Sequence, residues 1–230
     1  MMPITALTSY SIGDFVSFSD EVYFRFFVRQ FEAAWPAHIA MLLAGIAILA
    51  FAFRGKPKVI AALLAIPLAC SSITFLFKYY AELSPVGTVF GWALLIQIPL
   101  LLTWGFLESS RETFRPSVHA ITGTVISSLA LIGYPLLTLG EEWGWKGAAY
   151  FGMAPDPTIC LCMGLVLMSA RPLWALLLLP IPLLWTFASW GTLDTFESKT
   201  ALVLPAISLI TIAAIIWKAI RGKAQKDILA

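Results

Sequence analysis

The chain alternates long apolar blocks with short polar interruptions, and the blocks are continuous rather than striped. Seven of them read as helical spans: Pro36–Phe53, Val59–Tyr79, Pro85–Leu107, Val118–Leu139, Pro157–Ala170, Leu173–Leu193 and Ala201–Ile220. Crossing a bilayer core takes about 20 apolar residues in a helix. Only helices or closed barrels satisfy the backbone there, and these blocks are too long for barrel strands. The expected fold is an all-α, polytopic membrane helical bundle of seven transmembrane helices. Ahead of it, "SDEVYFRFFVRQFEAAW" (Ser19 to Trp35) has the periodicity of an amphipathic helix. Ser19 suits its N-cap, and Asp20 with Glu21 suits the positive end of the helix dipole. Phe24, Phe27, Phe31 and Trp35 share one face. That face belongs among acyl chains at the outer interface, or else closes a lid over an outer cavity.

Composition removes the soluble alternative. Hydrophobic residues make up 60% of the chain and charged ones 12%, with a mean hydropathy of +0.87, where a soluble domain is about half apolar and a quarter charged. The N-terminus has no positive region followed by an early apolar run, so no cleavable signal peptide is expected. The domains expected are an extracytoplasmic segment (1–35), the membrane domain (36–220) and a basic cytoplasmic tail (221–230).

Charge adds an orientation. Arg54, Lys56, Lys58, Arg111, Arg115, Arg171, Lys218, Arg221, Lys223 and Lys226 lie in alternate loops and the tail. Glu82, Glu141, Glu142, Asp156, Asp194 and Glu197 lie in the others, with Asp14, Asp20, Glu21 and Glu32 in the N-terminal segment. Cytoplasmic loops collect Lys and Arg, which puts the C-terminus inside and the N-terminus outside. The basic fringe then faces lipid headgroups and carries no indication of nucleic acid.

Several chemistries are missing. A retinal protein needs a lysine in mid-span, but Lys218 and Lys78 both sit at span ends. Haem held by two histidines is set aside, because His38 and His119 begin spans on opposite sides. Cys160 and Cys162 are two apart and so diverge on a helix. With Met163 nearby they are weak metal candidates, set against the ordinary role of Cys and Met as apolar packing. No Walker A, HExxH or GxSxG motif occurs, and no nucleophile–base pair can be named, so an enzyme is not expected.

"GEEWGWKGAAYFGMAPDPT" (Gly140 to Thr158) is the best candidate site. The fifth span runs only from Pro157 to the basic turn at Arg171, roughly 20 Å of helix at 1.5 Å per residue, against a hydrocarbon core of about 30 Å. The apolar "GAAYFGMA" makes up the shortfall as a half-helix or extended leg, which lowers Asp156 beneath the interface. Such a break is tolerated only where protein or a water-filled cavity lines it, as in the broken spans of transporters. On this reading Asp156, Glu141 and Glu142 face an outer vestibule with Trp143, Trp145 and Tyr150, a setting for an organic or metal cation. Lys78 and Lys146 leave the sign of the ligand open. The competing reading makes Asp156 a helix cap within an ordinary aromatic belt. Gln97 is a mid-span amide that needs a partner. Gly123 and Ser127 have the small-xxx-small spacing of close helix packing, and the prolines of "LLPIPLLW" (Leu178 to Trp185) should kink the sixth span.

"YFGMAPDPT", "LLPIPLLW" and the aromatic N-terminal segment together resemble a family of bacterial multi-pass membrane proteins known only as a domain of unknown function. The resemblance covers nearly the whole chain and implies a prokaryotic inner membrane. It brings no activity, ligand or cofactor, and "EEWGW" and "CLC" are not part of it. Two functions stay open. One is a protein that binds or transports a small solute at the outer end of the broken fifth span. The other is a non-catalytic accessory subunit packed in the bilayer against partner subunits.

Overall fold

The computed structural model describes residues 16, 18–108, 117–139 and 143–229, with 222–229 as backbone only. The fold is all-α. We number the helices α1 (Asp20–Ala34), α2 (Ala37–Phe53), α3 (Pro57–Leu83), α4 (Pro85–Leu107), α5 (Val118–Thr138), α6 (Pro155–Ser169), α7 (Pro172–Leu178), α8 (Pro180–Thr195) and α9 (Val203–Leu229). Each apolar block of the sequence coincides with a helix or a helix pair. By length and composition, α3, α4, α5 and the Val203–Arg221 part of α9 are apolar enough to cross a membrane singly. The pairs α1 with α2 and α7 with α8 pass only together, bent by 94° and 47°, which gives up to six spans.

Helix α6 differs from the others. It has 15 residues, about 22 Å at 1.5 Å per residue, and every residue from Pro155 to Leu167 is buried. Protein surrounds it where lipid would surround an ordinary span. It crosses α5 closely, because glycine faces glycine there. A Cβ on Gly164 would meet the Gly123 carbonyl oxygen at 2.6 Å and Ser127 Oγ at 2.4 Å, so the small-residue spacing serves backbone contact.

Contacts define two ends of the bundle. At one, Arg171 pairs with Glu108 (2.8 Å), and Lys218 Nζ donates to the Leu167 and Ala170 carbonyls (3.0 and 2.7 Å). At the other lie α1, the start of α6 and the segment that precedes it. Helix α1 is capped as expected by Ser19, which accepts from the Val22 N–H. Its aromatic face is corrected by the structure: Tyr23, Phe26, Phe27 and Phe31 are buried, and Phe27 packs on Phe75 of α3 with the rings tilted and their centroids 4.7 Å apart. Phe27 and Phe31 therefore pack on protein instead of acyl chains. Periodicity reports an apolar face but not what covers it. The rest of the expected face is more open, with Phe24 half-buried and Trp35 51% exposed.

Prolines shape two helices near the core. In α5, Pro135 has no N–H for the Leu131 carbonyl, and the preceding turn widens so that the Tyr134 N–H reaches Leu129 O. In α8, Pro182 frees the Leu178 carbonyl in the same way. Gln97, fully buried on α4, donates its Nε2 to that oxygen at 2.9 Å. The mid-span amide thus replaces the backbone donor that proline lacks.

This generates a coupled prediction. Gln97→Leu should cost about 1–3 kcal/mol by leaving a buried carbonyl unpaired, and much less in a Pro182→Ala background, where a backbone N–H returns. Denaturation of the four proteins in detergent micelles measures the coupling, and equal costs in both backgrounds would refute it.

Candidate functional site

The eight residues before α6 form a buried leg without helix. A positive φ of 78° at Gly152 turns it, and a Cβ there would meet Met41 Sδ at 2.7 Å. Side chains satisfy its backbone. Thr138 Oγ1 accepts from Ala149 N (3.0 Å), Thr158 Oγ1 accepts from Gly152 N (2.8 Å), and Gln30 Nε2 of α1 donates to Met153 O (3.0 Å). Irregular backbone of this kind is stable away from water only when protein pairs it.

The leg delivers Asp156 to the second position of α6. Ala154 holds the N-cap position with no side-chain bond, so Asp156 is not the cap of its helix. Its carboxylate, 4% exposed, accepts three hydrogen bonds from other helices. Tyr134 Oη of α5 donates to Oδ2, while Trp185 Nε1 and Ser189 Oγ of α8 both donate to Oδ1, each at 2.8 Å. Trp185 and Ser189 are four residues apart and so share one face of α8. Tyr23 of α1 closes the group beside Ser189. Tyr80 stands behind it, bonded to Thr192 (3.2 Å) and edge-on to Trp185.

All three donors are neutral. Among the described residues, no basic side chain forms an ion pair or hydrogen bond with Asp156. An enclosed carboxylate costs several kcal/mol in lost hydration, offset here by hydrogen bonds to a charged group at about 1.5–3 kcal/mol each. The positive end of the α6 dipole adds to this. At the other end of α6, Lys218 meets the carbonyls, so an acid and a base bracket the helix with the favourable polarity.

The other sequence candidates do not converge on Asp156. Glu141 and Glu142 lie outside the described residues. Trp143 lies under the Arg25 guanidinium (5.9 Å). Trp145 is 54% exposed and meets Phe31 edge-on. Tyr150 donates to the Trp145 carbonyl (2.8 Å). Lys78 lies over the Tyr79 ring, and Lys146 pairs with Glu32 (2.9 Å). Cys160, Cys162 and Met163 are fully buried in an unbroken helix. Cys160 lies toward Asp156 and Cys162 toward Gln97, and no three His, Cys, Asp or Glu residues cluster among the described residues. Sequence reasoning found the carboxylate and missed its three donors. The i, i+4 pair of Trp185 and Ser189 in an apolar helix was the available signal.

Asp156→Leu should strand three buried donors and cost more than about 3 kcal/mol, whereas Asp156→Asn keeps an acceptor for Trp185 or Ser189 and should cost less than half as much. Unfolding in micelles checks the order of the two variants.

Residues 20–226 match the model of the family of unknown function DUF6064, and the chain belongs to that family. No curated protein and no solved structure matches it.

Proposed function

With membership of DUF6064 as the premise, we propose that this is a prokaryotic inner-membrane protein that binds or carries a small organic cation, with Asp156 as the group that holds it. One observation carries the reading: an enclosed carboxylate whose partners are all neutral donors. Ionisable groups in membrane domains are expensive, and they mark binding and transfer sites unless paired with an opposite charge. The rings of Tyr23, Tyr80 and Trp185 nearby supply the π faces that favour a cation over neutral solutes. Tyr134, Trp185 and Ser189 then hold the carboxylate until the ligand takes their place.

Helix α1 is the cover in this reading. It meets α2 at 94°, lies along the outer surface, and fixes its outer face through exposed pairs such as Glu32 with Lys146. Access to Asp156 requires Tyr23 and its neighbours to lift. The end of the bundle that carries Glu108, Arg171 and Lys218 is cytoplasmic, because the basic loops lie there. An alkaline phosphatase fused at the C-terminus should be inactive and a fluorescent protein fused there bright. The opposite pair of signals would reverse the orientation.

The solute reading is tested in lipid nanodiscs with methylammonium, guanidinium and choline as probes. At least one should raise Tm of the natural protein, and none should raise Tm of Asp156→Asn. No shift in either protein, or equal shifts in both, defeats the assignment. A second polypeptide co-purifying in fixed ratio, with no cation response, would identify an accessory subunit instead.

A further inference from the structure

A second polar feature lies away from Asp156, on the flank of the bundle between α2 and α5. There a cavity of about 220 Å³ is lined by His38, Leu42, Ile132, Pro135, Leu136 and Tyr150, among others. His38 is 5% exposed, and its Nδ1 has no hydrogen-bond partner among the described residues. Its ring is held by Phe31, with centroids 4.6 Å apart, and by Tyr150, edge-on at 5.2 Å. Unpaired buried polar atoms are uncommon in folded proteins and call for an explanation; others occur here at Ser71, Ser127 and Thr211, and His38 is the one whose ring borders this cavity.

The walls narrow the choice of ligand. Ile132 and Leu136 are 62% and 61% exposed, so the cavity opens sideways, where lipid covers an apolar helix, and not toward the end of the bundle. Its lining holds no Lys, Arg, Asp or Glu, which disfavours a phosphate headgroup and a cation alike. Tyr150 already donates its hydroxyl to the Trp145 carbonyl, leaving His38 as the hydrogen-bonding group of the wall. A cavity of about 150 Å³ accepts a benzene ring, so this one takes a ring with small substituents. The ligand that fits is a flat ring with an oxygen acceptor, carried on an apolar tail that enters from the lipid.

We propose that this flank cavity binds the head of a membrane quinone, a ring carbonyl accepting from the His38 imidazole and the tail leaving past Ile132 and Leu136. Binding here is independent of Asp156. It assigns a role to a histidine that the Asp156 site leaves unused.

The test uses the full chain in nanodiscs and a short-tailed 1,4-benzoquinone, followed by quenching of tryptophan fluorescence. Trp35 lies near His38, with ring centroids 6.3 Å apart, and serves as a reporter. Quenching should saturate, weaken about tenfold in His38→Leu and persist in His38→Gln, since one hydrogen bond is at stake. If His38→Leu loses its fold, Ile132→Phe narrows the mouth with His38 intact and should weaken binding equally. Affinity unchanged in both Ile132→Phe and any folded His38→Leu would overturn the proposal. So would quenching that rises without saturation, which is partition into lipid.

Discussion

A helix enclosed by protein on all sides must find partners for both its ends within the protein, and α6 sets that requirement for the whole bundle. Its N-terminal side carries an ionisable group, its C-terminal carbonyls carry a partial negative charge, and the leg that feeds it has no helical bonds of its own. Each demand is met from a different helix. Thr138 and Tyr134 come from α5, Trp185 and Ser189 from α8, Gln30 from α1 and Lys218 from α9. The arrangement of the outer helices follows from the polar needs of the inner one as much as from close packing, since between helices in lipid the hydrophobic effect supplies no drive.

The prolines belong to the same economy of partners. Pro135 widens the turn that presents Tyr134, and Pro182 lies in the first turn of the helix that presents Trp185 and Ser189. Both remove backbone donors, and one of the freed carbonyls is taken by Gln97. Glycine does the complementary work on the other face of α6. Gly123 and Gly164 let two backbones touch, which brings the α5 side chains within reach of Asp156. Bent helices and close crossings are thus the means by which neutral donors reach a buried carboxylate.

Two polar features of the interior stand out for their chemistry. One is the Asp156 carboxylate, whose side-chain partners among the described residues are all neutral donors. The other is His38, which lines the flank cavity and whose Nδ1 has no hydrogen-bond partner among those residues. They differ in chemistry and in access, the first lying under α1 and the second opening between α2 and α5. On the two proposals made above, a solute would meet Asp156 from the aqueous end and a ligand would meet His38 from the lipid.

The sequence alone determined the all-α class and the positions of the helices. Those depend on hydrophobic run length and caps, which are local properties. It also located Asp156, the shortness of the helix that carries it and the need of Gln97 for a partner. Tertiary structure decided what lies against each face. Aromatic periodicity in α1 is the same whether the face meets acyl chains or Phe75, and only packing chose the latter. Glu32 and Lys146 are 114 residues apart in sequence, and Tyr134, Trp185 and Ser189 reach Asp156 from 22 to 33 residues away. No spacing rule reports such pairings, because hydrogen bonds between helices depend on crossing angle and rotation, which are fixed only when the bundle closes.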